Sequence, residues 1–142
     1  MKKKKHESKF YTIIKNSCSE VGAFYYKIPD AYGYKPHDGS RFLLSKPYDL
    51  IFTYRGYNFH TEVKYSPEIK AFSVKQLRES QIESLTQISD NKNEYTIPLV
   101  VLGIYKAREI KRMYFFHYDW LLNNPLKKKD LMAINKFTDI KS

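Results

Sequence analysis

Apolar residues first recur at helical spacing. Phe10, Ile14, Cys18 and Val21 form one stripe, with Tyr11 and Ile13 beside it, and predict a helix over residues 6–20 that Gly22 ends. Residues 2–5, four lysines, precede it as a mobile basic arm. Glu7 stands one turn before Phe10 and Tyr11, so it extends the core-facing stripe rather than the wet face. The pattern then changes. Residues 23–28 are aromatic and β-prone, Pro29 closes them, and residues 30–45, with Gly33, Pro36 and Gly39, form a long loop. Residues 48–54 and 57–65 are two strands joined by the turn signal Arg55-Gly56. Ser73 and Gln76 have capping-box spacing, and Leu77, Gln81, Leu85 and Ile88 share one helical face behind them. After a polar break at residues 90–94, residues 96–105 are nearly all apolar and predict a central strand, with Pro98 near its start. A further strand over residues 110–117 follows. Asp119 then caps a short helix ending before Pro125, and residues 127–142 make a basic helix and tail. The order is helix, strand, loop, hairpin, helix, strand, strand: a single mixed α/β domain, helices packed on a sheet, with no internal repeat.

Composition narrows the partners. The 142 residues suffice for a core without disulfides or structural metal, and Cys18, the only cysteine, excludes an intrachain disulfide and a zinc cluster. No apolar run is long enough for a membrane span, and no long apolar region follows the lysines to make a secretory leader, so a reducing, cytoplasmic setting without membrane partners is expected. The net charge of +10 comes from 25 Lys+Arg against 15 Asp+Glu. It favours a polyanion, nucleic acid before an anionic membrane, although lysine-rich composition alone can also reflect an AT-rich genome. The excess of Lys over Arg suits phosphate contacts better than bidentate reading of bases.

The hairpin holds the chemistry. If Arg55-Gly56 is a two-residue loop, Tyr54 faces Tyr57 and Asp49 lies opposite Glu62. Facing residues hold their Cβ atoms roughly 4.5–5.5 Å apart, and like charges there are destabilising unless a cation sits between them. Lys64, two residues beyond Glu62, projects from the same face, as do Asn58 and His60, while Phe59, Thr61 and Val63 take the other. A bulge with Gly56 in the left-handed region would shift the pairing by one residue and leave the carboxylates close but offset. Mg²⁺, or Mn²⁺ in its place, takes one or two carboxylates, and so held would polarise a phosphate and acidify a water.

Pro47-Tyr-Asp49 followed by Glu62-Val-Lys64 resembles the PD-(D/E)XK nuclease motif. The stretch from Phe72 to Leu85, with Gln81-Ile82 inside its helix, is similar to the helix after the motif in RecU-type Holliday junction resolvases, and the Glu7 helix, Gly22 and the first strand resemble that family and its archaeal relatives. The resemblance spans roughly residues 6–104 and implies a restriction-endonuclease-like core with a mixed central sheet. It also implies an Mg²⁺-dependent endonuclease, acting as a homodimer on branched double-stranded DNA. Asp49 and Glu62 would ligate the metal with the Val63 carbonyl, Lys64 would serve the attacking water, Glu7 would complete the acidic site, and Gln81 would approach from the second helix. Lys3, Lys4, Lys5, Lys27, Lys35, Arg41 and Lys75 are the expected phosphate contacts. The segment before Asp49 is shorter than the stalk-bearing insertion of RecU, so Tyr32, Tyr34, Lys35, His37 and Arg41 would do a reduced version of that work.

Plainer readings stand beside each assignment. Glu62 and Lys64 alone fit a solvated strand pair, Glu7 a carboxylate favoured at a helix start, Gln81 an ordinary buried amide, and His60 a packing histidine. Phe24, Tyr25 and Tyr26 fit core and interface, or stacking on unpaired bases.

Overall fold

The computed structural model describes the backbone of residues 2–29, 46–107 and 109–141 and the side chains of residues 8–29, 46–107 and 109–134. The first helix, α1 (Lys2–Val21), begins at Lys2 rather than at His6, so the lysines expected in a mobile arm belong to its first turns. Phe10, Tyr11, Ile14 and Cys18 are buried as the stripe requires, whereas Ile13 and Val21 are exposed. Gly22, at φ +74°, closes the helix. The Ala23 N–H donates to the Cys18 carbonyl at 2.8 Å and the Gly22 N–H to the Ser19 carbonyl at 3.3 Å, the paired bonds of a Schellman end.

Five strands form one sheet in chain order. They are β1 (Phe24–Lys27), β2 (Leu50–Tyr54), β3 (Tyr57–Ser66), β4 (Thr96–Lys106) and β5 (Glu109–His117). All neighbours are antiparallel except β3 and β4, which run parallel and are joined through α2 (Glu79–Asp90). The sheet is therefore mixed, as expected. Pro98 sits in β4 before the pairing with β5 begins at Leu99, where a missing N–H costs no bond to that strand.

The strands bury both faces. Leu99 and Val101 of β4 pack with Val63 and α1 on one side, and Val100, Leu102 and Ile104 pack on the other against Leu77, Leu85 and the closing segments. Those segments are α3 (Tyr118–Asn123) and α4 (Lys128–Lys141). Two predicted caps are corrected. The Ser73–Gln76 box is present but caps a single 3₁₀ turn (Val74–Gln76), because Leu77 is extended and the α-helix starts only at Glu79. α3 is capped by His117, whose side chain accepts from the Asp119 N–H, while Asp119 accepts from Ser89 Oγ at 2.5 Å. Among the described residues no helix is long and apolar enough to cross a membrane.

Candidate active site

The hairpin between β2 and β3 has the two-residue turn. Arg55 and Gly56 have φ of 49° and 85°, the two positive values of a primed turn, so no bulge shifts the register. Tyr54 pairs with Tyr57 and Leu50 with Thr61, and the next position out brings Asp49 beside Glu62. Asp49 is pinned three ways. Its N–H donates to the Thr61 carbonyl at 3.0 Å, its carbonyl accepts from the Ile28 N–H at 2.9 Å, and its Oδ2 accepts from the Val63 N–H at 2.8 Å. Asp49 is 6% exposed and Glu62 2%. Lys64, on the same strand face as Glu62, places its Nζ 3.7 Å from Glu62 Oε1.

Two carboxylates so close and so dry cannot both stay charged unaided. Burial, and then the neighbouring Asp49 charge, push the Glu62 carboxyl from 4.5 to about 9, against the pull of the Lys64 and Lys46 ammoniums. Lys46 was not anticipated from the sequence, although it stands only three residues ahead of Asp49; its Nζ is 3.2 Å from Asp49 Oδ1.

Gln81 does meet the pair. Its Oε1 accepts from the Arg78 N–H at 2.8 Å, which turns its amide nitrogen toward Glu62, where Nε2 donates to Oε1 at 2.7 Å. One side chain thus ties the start of α2 to the acidic pair. Gln81→Met should lower any activity of this site by about 10–100-fold while leaving the fold intact, since a lost supporting hydrogen bond to an acidic ligand has that typical cost. Unchanged rates with normal circular dichroism would show that the contact is only structural.

The donor set suits a hard divalent cation. Glu62 Oε2 is buried and has no hydrogen-bond partner among the described residues, which a bound cation would relieve. Both donors are carboxylate oxygens, the type Mg²⁺ and Mn²⁺ prefer. Among the described residues no set of three or more His, Cys, Asp or Glu converges. Glu7 lies on α1 one turn before Tyr11, but its side chain is outside the described residues, as are those of Lys3, Lys4 and Lys5. Lys35 and Arg41, with Tyr32, Tyr34 and His37, lie wholly outside them.

An open cleft of about 1270 Å³ surrounds the pair, bounded by α1 through Ser8, Tyr11 and Lys15 and by the start of α2 through Arg78 and Gln81. Lys27 lines it, its ammonium 4.3 Å from the centre of the Tyr11 ring. Lys75 is exposed on the 3₁₀ turn and does not line the cleft, whereas Lys70 and Arg78, which the sequence did not single out, do. His60 does not line the cleft: its Nδ1 meets the Tyr48 hydroxyl at 2.5 Å, and burial lowers its pKa. Tyr48 is the middle residue of Pro47-Tyr48-Asp49, so this contact fastens that segment to β3. Phe24 and Tyr26 are 64% and 50% exposed rather than core.

No protein-family model matches the chain, and no curated protein matches its sequence. Among solved structures, Hjc of Archaeoglobus fulgidus, a Holliday junction resolvase from an archaeal hyperthermophile, matches with a TM-score of 0.53. This chain has the fold of that resolvase. The match covers 86% of this chain and 87% of the other at 15% identity. At that identity the likeness is one of backbone, and the chemistry of the cleft rests on this chain's own side chains.

Proposed function

We propose that this chain is a divalent-metal-dependent DNA endonuclease that cuts four-way junctions as a homodimer. The observation that carries this reading is the buried, facing pair Asp49 and Glu62, with Glu62 Oε2 lacking a hydrogen-bond partner and Lys64 on the same strand face. Two adjacent buried carboxylates can both be charged only where positive charge joins them; in the metal-free chain Glu62 keeps its proton instead.

Asp49 and Glu62, with the Val63 carbonyl, would hold Mg²⁺ or Mn²⁺, and Glu7 would complete the acidic set from α1. The cation, when bound, supplies positive charge at the scissile phosphate and activates a water for attack. Lys64 orients that water and offsets charge developing on the phosphate oxygens. Gln81 holds the Glu62 carboxylate in place. Lys15, Lys27, Lys70 and Arg78 line the cleft and meet the phosphates on either side. Attack by water breaks one P–O bond of the backbone. A two-fold dimer presents two such sites to two strands of like polarity, which is what resolving a four-way junction requires. The Archaeoglobus fulgidus protein of the same fold is a Holliday junction resolvase, which favours junctions over plain duplex as the substrate.

A labelled four-way junction, a duplex of the same sequence and a single strand, each incubated with the protein and Mg²⁺, test this. The junction should be cut in two symmetric strands and the others left largely whole. Preferential cutting of the duplex at a fixed sequence would instead make the chain a sequence-reading nuclease.

A further inference from the structure

The four oxygens of the carboxylate pair are not equivalent. Asp49 Oδ2 is engaged by the Val63 N–H at 2.8 Å, and Glu62 Oε1 by Gln81 Nε2 at 2.7 Å with the Lys64 ammonium nearby. That leaves Glu62 Oε2, buried without a hydrogen-bond partner among the described residues, and Asp49 Oδ1. Asp49 Oδ1 is held by an ammonium, that of Lys46 at 3.2 Å. Of the two oxygens that no amide engages, the one on Asp49 is therefore occupied by a lysine of the protein.

Lys46 suits a temporary occupant. It lies on the segment entering β2, outside the sheet, and its side chain lines the cleft and is 20% exposed. An ammonium on a four-carbon stem is a point charge that re-aims readily. A cation drawing on Asp49 Oδ1 both competes for that oxygen and repels the ammonium, the more strongly where the site is shielded from water. The displaced charge is still inside the cleft, where a bound DNA phosphate would compete with Glu68 for it.

Building on the metal-nuclease reading, we infer that Lys46 is a phosphate-binding residue that guards Asp49 until the metal arrives. In the metal-free protein it neutralises Asp49 beside Glu62. When a cation takes Oδ1, Lys46 transfers to a non-bridging oxygen of the DNA backbone. Metal and DNA are thereby linked. A phosphate that draws Lys46 away tightens the metal, and by reciprocity the metal tightens the DNA.

The two roles move in opposite directions on substitution, which a merely structural lysine would not do. Lys46→Met and Lys46→Arg are compared with wild type by titrating Mn²⁺ without DNA, followed by the loss of free-ion paramagnetic resonance, and by junction cleavage kinetics at saturating metal. Lys46→Met should bind Mn²⁺ about threefold more tightly, the scale of one partly exposed ion pair. Its KM for the junction should rise about tenfold, the scale of one charge-assisted hydrogen bond, with a smaller change in kcat. Lys46→Arg, which keeps the charge, should retain the wild-type Mn²⁺ affinity. Equal or weaker Mn²⁺ binding by Lys46→Met, or an unchanged KM, overturns the assignment of Lys46 while leaving the metal site standing. Absence of Mn²⁺ binding in wild type and variant alike overturns the metal-nuclease reading itself.

Discussion

Glu62→Gln should lose more than about a hundredfold of junction cleavage, beyond the 10–100-fold that removing a mere supporting group costs, and should nevertheless be the more stable protein without metal. Both effects have one origin. In the folded chain Glu62 is out of water beside Asp49, which raises its carboxyl from 4.5 to about 9. Between those values the metal-free folded protein keeps a proton that the unfolded chain has released. Stability therefore falls as pH rises from about 4.5 to about 9 and levels off above. An amide at this position has no proton to lose, so the variant should lack that slope and unfold at a higher temperature in EDTA at pH 8. Wild type should regain the difference on adding Mg²⁺, since a cation needs the charged carboxylate and binds more tightly as pH rises through the same window. Junction binding should survive in Glu62→Gln, because the basic residues of the cleft are untouched. Thermal melts across pH with EDTA or Mg²⁺, paired with cleavage gels, check both halves; a flat wild-type pH profile together with undiminished cutting by the variant would contradict the assigned role.

Gly103→Ala should be the most damaging small substitution in the sheet. Gly103 faces α1 from β4, and a Cβ there would lie 1.8 Å from Phe10 Cε1 and 2.2 Å from Cζ. Phe10 is fully buried and stacks on Tyr65 at 5.6 Å, so the ring has nowhere to retreat. The added methyl must push α1 off the sheet, at about 1–3 kcal/mol for overpacking. For a domain of this size that lowers the melting temperature by roughly 4–10 °C. α1 also carries Glu7 and the Tyr11 wall of the cleft, so activity should fall with stability. Phe10→Leu in the Gly103→Ala background should recover part of the loss by freeing ring volume. A melting temperature for Gly103→Ala equal to that of wild type would mean that α1 does not rest on the β4 backbone.

What could be read from the residues follows from how local each signal is. The register of β2 against β3 is set by two turn residues with positive φ, so the pairing of Asp49 with Glu62 follows from counting along the strands. The α1 stripe is a simple periodicity; it misses at Val21, exposed where Gly22 turns the chain away, and at Ile13, which stands beside the stripe and faces out. Gln81 was legible because an amide in an apolar stripe must find a partner, and it finds two. The Ser73 box is a true local signal with a shorter reach than expected, because the extended Leu77 interrupts the helix. Asp119 looked like a cap because aspartate usually is one, but Ser89 on α2 claims its carboxylate, a long-range contact that no local pattern contains. Lys46 escaped notice for a related reason. Its value depends on which Asp49 oxygen the Val63 N–H has already taken, and that is decided by the folded hairpin.

Read as a metal site serving DNA hydrolysis, the Asp49–Glu62 pair makes junction cleavage depend on a divalent cation. The most direct measurement is cleavage of an end-labelled four-way junction by the wild-type protein, with Mg²⁺ in one reaction and EDTA in another. Two symmetric nicks with Mg²⁺ and an intact junction in EDTA are predicted; equal cutting in both, or a junction that is bound but left whole at every concentration of Mg²⁺ or Mn²⁺, would contradict it.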